Sequence, residues 1–165
     1  MSKHSRLQIP KFFDEGWDGV IITTFGASLG FFENILLRQL KSAKNIVILA
    51  DATQILNGLW DPQSAASLRF LNKTYVLGLI HSSYAAHAKM ILLLKENKGL
   101  LLVGSGNLNQ SGYASQNEGF TYYTWDENSD DCLPEFLDAR LFIQKLIDLE
   151  DFDDPIKNQI DNIWV

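Results

Sequence analysis

His87 and Lys89 stand two residues apart at the head of an apolar run, "HAKMILLL" (87–94). A second apolar run, "GLLLVGSGN" (99–107), closes on Gly104, Ser105, Gly106 and Asn107, and Asn117-Glu118 follows a short loop later. These residue types suit a site for a small anion. A neutral imidazole is a nucleophile or base near pH 7, and an ammonium is a compact charge for anionic oxygens. A serine hydroxyl and an asparagine carboxamide add hydrogen bonds. Gly104 and Gly106 permit left-handed turns or close backbone approach to a ligand, where successive N–H groups can cup an anion. In a strand, residues i and i+2 share a face, so His87 and Lys89 are expected to project together. Glu118, opening the next strand, is the expected partner of a His87 ring nitrogen, fixing its tautomer. Singly these signals are common: a strand histidine is usually structural, and "GSGN" is usually a plain turn. Their order and spacing carry the weight.

Short β-branched or apolar runs predict strands at "GVIITTF" (19–25), "KNIVILAD" (44–51), "TYVLGLI" (74–80), "AKMILLL" (88–94), "GLLLVGS" (99–105) and "EGFTYYTW" (118–125). Apolar spacing at Phe32, Ile35, Leu36 and Leu40 predicts a helix over 28–43 with Ser28 as N-cap. Further helices are expected at 62–71, 133–149 and 153–164. Strands alternating with helices, then hairpin-like strands, indicate an α/β fold with a mixed sheet flanked by helices.

The 165 residues fit a single domain, 1–165. A net charge of −6 argues against tight, nonspecific nucleic-acid binding by the whole surface, though not against a local anion site. One cysteine, Cys132, excludes an intrachain disulfide and a cysteine-based zinc site. No apolar run approaches the ~18 residues of a spanning helix, and the first residues hold no apolar signal core. A cytoplasmic location and no membrane association are expected. The acidic runs 126–131 and 148–154 read as a solvated loop and a helix terminus; neither has the spacing of a calcium loop. No metal and no cofactor are expected.

The ordered set resembles the phospholipase D superfamily, whose signature is H-x-K-x4-D, then G-S-x-N and a later acidic residue. Here it reads His87-Ala88-Lys89, Gly104-Ser105-Gly106-Asn107 and Asn117-Glu118. The upstream strand, "FFENILLRQL" helix and "NIVILAD" strand look like the N-terminal module of bacterial phospholipase D-like nucleases. The signature Asp would fall at Leu94, a departure from the pattern. The resemblance implies a metal-independent phosphodiesterase, foremost a nuclease cleaving DNA through a phosphohistidine. His87 would be the nucleophile, Lys89 and Asn107 would hold nonbridging oxygens, Ser105 with Gly104 and Gly106 would bind substrate, and Glu118 would orient His87. A phospholipid-processing enzyme and a noncatalytic phosphate-binding or dimerisation module are the alternatives.

The mechanism needs two histidines, and neither His4 nor His81 stands in a second H-x-K motif. The second is expected from a homodimer partner, or from a C-terminal second half if this chain is the N-terminal half of a longer two-motif protein. Thr23, Thr24 and Tyr113 are secondary candidates to line the site, with packing the commoner role for such threonines. The four tryptophans read as packing residues, and Arg38 and Arg69 as solvated helix residues.

Overall fold

A computed structural model describes residues 8–59, 62–82, 87–114, 118–129 and 131–164. His4, Trp60 and Asn117 lie outside them. The strands are β1 (Gly19–Thr24), β2 (Asn45–Asp51), β3 (Val76–Ile80), β4 (Lys89–Lys95), β5 (Lys98–Gly104) and β6 (Phe120–Asp126). They form one sheet in the order β3-β2-β1-β4-β5-β6. β1, β2 and β3 run parallel; β4 pairs antiparallel with β1, β5 with β4 and β6 with β5. The mixed sheet expected from sequence is therefore present, with each strand within two residues of its expected bounds.

The helices are α1 (Leu29–Phe31), α2 (Ala52–Leu59), α3 (Pro62–Ser67), α4 (Gln110–Ala114), α5 (Leu133–Leu149) and α6 (Asp154–Ile163). β1 is buried throughout, and side-chain alternation splits the core into two layers. Val20 and Ile22 of β1 pack with Ile46, Ile48, Ile91 and Leu102 beneath Phe32, Leu36 and Ile55. Ile21 packs with Val47, Leu49, Leu92 and Leu101 against Phe136, Ile143 and Leu146 of α5 and Ile156, Ile160 and Ile163 of α6. The β1–β2 and β2–β3 connections both contribute to the first layer. Two crossovers of one hand that step in the same direction across a sheet must share a face.

The helix expected over 28–43 is shorter and wider. Ser28 does cap it, its Oγ accepting from Phe31 N at 3.3 Å. After α1 the chain makes a π-helical segment, Phe32–Leu36, and Leu37 N donates five residues back to Phe32 O at 2.8 Å. The extra residue per turn rotates the faces. Ile35 is left exposed, while Glu33 turns inward and accepts from Arg69 N, Phe70 N and the Tyr75 hydroxyl. Burial beside the Glu33 carboxylate pushes the Tyr75 phenol well above its ordinary range. α2 was not foreseen, because its N-terminal signal lies in a strand: Asp51, the last residue of β2, accepts from Gln54 N at 2.9 Å.

The acidic run 148–154 is only partly solvated. Asp153 N-caps α6. Glu150 is buried, and its two oxygens accept from His81 N (2.9 Å) and Ser82 N (2.8 Å). Glu150 thereby ties the end of α5 to the chain leaving β3. Glu150→Ala is expected to cost about 2–4 kcal/mol, since two amides lose a charged acceptor. Glu150→Gln, with one acceptor oxygen, should fall between that variant and wild type in urea unfolding.

Candidate active site

Four strand ends meet at one edge of the sheet. β1 runs out through Thr24 into Phe25 and Gly26. β4, antiparallel to it, starts there at Lys89; β5 ends there at Gly104, and β6 starts at Phe120. Lys89 stands opposite Gly104, and Gly104 opposite Phe120. The edge lies outside the C-terminal end of β1, where the neighbouring β2 and β4 diverge in topology, the usual ligand position in open α/β sheets.

His87 precedes β4 rather than lying in it. Its exposed ring stacks on Phe25, with centroids 4.3 Å apart and planes at 14°. Thr23 Oγ1 donates to Ala88 O at 3.0 Å, clamping the residue between His87 and Lys89. Lys89 Nζ donates to the His87 carbonyl at 3.0 Å and lies 5.7 Å from the Phe25 centroid. His87 and Lys89 thus come together as expected, though through a turn packed on Phe25 instead of through strand alternation.

Asn107 is half-buried, and its Oδ1 accepts from Gly26 N at 3.2 Å. Thr24 Oγ1 approaches the same oxygen at 3.5 Å but donates its one proton to Gly26 O at 2.8 Å, while accepting from Leu108 N at 3.1 Å. Thr24 therefore joins the β1 end to the Asn107 loop and orients the carboxamide, leaving Nδ2 as its donor. Both threonines are buried supports beneath the edge.

Glu118 does not take the expected position. Its carboxylate accepts from Ser105 Oγ, which in turn accepts from Gly119 N at 3.2 Å. Among the described residues no hydrogen bond joins it to His87. Strand order explains the difference. Ser105 and Glu118 flank the paired ends of β5 and β6, whereas His87 leads into β4 on the far side of β5.

The two motif glycines also serve differently. Neither has a positive φ. A Cβ on Gly104 would lie 2.2 Å from Gly119 O, and one on Gly106 would lie 2.4 Å from Gly112 O. They allow the loop to close on its own backbone. Tyr113 is no substrate contact: it is buried, edge-on to Phe31 and Phe120, and burial pushes its phenol well above the ordinary range. Sequence reasoning missed Phe25; its one signal was its place directly after a buried strand. Among the described residues no group of three His, Cys, Asp or Glu side chains could hold a metal ion, and no helix is long and apolar enough to cross a membrane.

This mixed six-stranded sheet flanked by helices is a fold shared with solved structures that include two phospholipase D-like ones. Nuc from Salmonella typhimurium, a phospholipase D family member, superposes with a TM-score of 0.54 at 17% identity, covering 87% of this chain and 84% of its own. NucT from Helicobacter pylori superposes with a TM-score of 0.53 at 15% identity, covering 85% of each chain. No family model and no curated protein matches the sequence.

Gly106→Ala should destabilise the chain by about 1–3 kcal/mol, because the methyl meets a backbone oxygen that cannot rotate away. Thermal unfolding measures it, and an unchanged melting temperature would contradict the packing role.

Proposed function

We propose that the chain is a metal-independent phosphodiesterase, a nuclease acting on DNA, that works as a homodimer. The observation that carries this reading is the convergence of His87, Lys89, Ser105, Asn107 and Glu118 on one open sheet edge. The fold shared with Nuc, a phospholipase D family member, supports it.

In this reading a His87 ring nitrogen attacks phosphorus. The P–N bond forms, the P–O bond to the leaving group breaks, and the leaving oxygen takes a proton from a second, protonated histidine. Water then attacks the phosphohistidine, gives its proton to that second histidine, and the P–N bond breaks. Lys89 Nζ and Asn107 Nδ2 stabilise the nonbridging oxygens. Ser105 gives its one proton to Glu118 and accepts from Gly119 N, so it braces the loop beside the site. Leu94 at the signature Asp position lies inside β4, paired with Gly19 and Gly99, away from this edge.

His81 follows β3, which β2 and β1 separate from β4 by about 14 Å of sheet, and it stands in no second H-x-K motif. Two nitrogens in line on either side of one phosphorus span about 7 Å. The His87 of a second copy, brought face to face across a twofold axis, meets the requirement, and the exposure of His87, Ser105 and Glu118 leaves the edge open to it.

His87→Ala should abolish turnover of bis(p-nitrophenyl) phosphate in EDTA and the nicking of plasmid DNA while the protein stays folded. Asn107→Asp keeps an acceptor for Gly26 N but loses the Nδ2 donor and adds repulsion. It should retain most of the stability and lose roughly 10²–10³ in kcat. Wild-type turnover in a nuclease-free His87→Ala preparation would refute the mechanism. Turnover of lipid without nicking would replace DNA as the substrate.

Light scattering tests the assembly. The active species should be a dimer, with turnover per chain falling on dilution below its dissociation constant. Full turnover by a micromolar monomer would refute the shared site.

A further inference from the structure

We propose that Phe25 is a positioning residue for His87, holding the imidazole by its face where a carboxylate would hold it by its edge. The inference rests on the phosphodiesterase reading above. Glu118 is engaged by Ser105, and among the described residues no hydrogen bond reaches a His87 ring nitrogen. Something else must limit the rotation of an exposed nucleophile, because each misaligned rotamer is unproductive.

Phe25 is built for this. The residues on both sides of it are anchored: Thr24 Oγ1 donates to Gly26 O, and Gly26 N donates to Asn107 Oδ1. Thr23 Oγ1 fixes the backbone next to His87 through Ala88 O. The Phe25 ring is therefore a wall tied to the sheet, and the His87 ring lies nearly parallel to it at 4.3 Å. Parallel stacking covers one imidazole face and leaves the ring edge, which carries both nitrogens, free to meet phosphorus. The same contact acts on the reaction itself. As the P–N bond forms and the P–O bond to the leaving group breaks, the attacking ring gains positive charge, and the negative face of an aromatic ring favours a cation.

Leucine at this position keeps an apolar contact but removes the π face; tyrosine keeps both. Phe25→Leu should lower kcat for bis(p-nitrophenyl) phosphate about 3–30-fold with KM within about twofold, and Phe25→Tyr should restore it. NMR supplies a readout that does not depend on turnover. The ring protons of His87, assigned by their absence in His87→Ala, should be shifted upfield by the Phe25 ring current, and Phe25→Leu should abolish that shift. An unshifted His87 in the wild type overturns the stack. A shift lost in Phe25→Leu with kcat unchanged overturns the positioning role alone, and a change confined to KM does the same by making Phe25 a substrate contact. A wild type that shows the shift but cleaves no phosphodiester overturns the reading of the site, and the positioning role with it.

Discussion

The antiparallel pairing of β4 with β1 is the constraint on which this molecule turns. β1 and β2 alone would make an ordinary parallel α/β edge, with ligand groups drawn from loops after strands. Adding β4 in the opposite direction brings the start of a strand to the place where β1 ends. The H-x-K residues are thereby delivered next to the backbone that β1 releases. The pairing continues into side chains, where Thr23 of β1 bonds the carbonyl between His87 and Lys89, and Thr24 bonds the loop that carries Asn107. A one-residue slip of β1 would swap the side chains of its two buried layers, each packed against different partners, so packing on both faces holds its register. The site inherits that rigidity.

The polar groups within the fold follow a related logic. Glu33 and Glu150 are buried, and each receives backbone amides from a segment distant in sequence. Buried amides outside regular structure need acceptors, and a carboxylate offers two oxygens at once. Glu33 secures the turn before β3, and Glu150 secures the chain that leaves it. Together they fix both ends of an edge strand that pairs with β2 alone. An acidic composition thus reflects internal ties as well as solvated surface.

What could be read from the sequence was local. Strand positions, Ser28 as a cap and the two halves of the motif each depend on a few neighbouring residues. Their counterparts in the structure lie close to expectation. What could not be read was relational. Glu118 lies close to the motif in sequence, yet its partner is set by which strand ends are adjacent, and β5 stands between β6 and β4. The apolar spacing of 32, 35, 36 and 40 assumes 3.6 residues per turn. One π-helical segment changes the phase, exposing Ile35 and burying Glu33. Gly104 and Gly106 were legible as special backbone but not as close contacts, since Gly119 and Gly112 approach them only in the folded chain.

The exchange of partners at Glu118 has a consequence for how such a site is held. A histidine supported by a carboxylate is oriented through one nitrogen, and that nitrogen's protonation is tied to the carboxylate. Here the carboxylate instead braces Ser105 and the β5–β6 end, and the imidazole rests on Phe25 through its face. The orientation of the ring and the state of its nitrogens are thereby separated, because stacking constrains the plane and leaves both nitrogens at the edge. In a site shared between two copies this arrangement suits chemistry that needs the same residue in two roles. In the proposed shared site the two His87 rings would start out identical, one to attack phosphorus and the other to give up a proton. A support that commits neither nitrogen allows either ring to take either part.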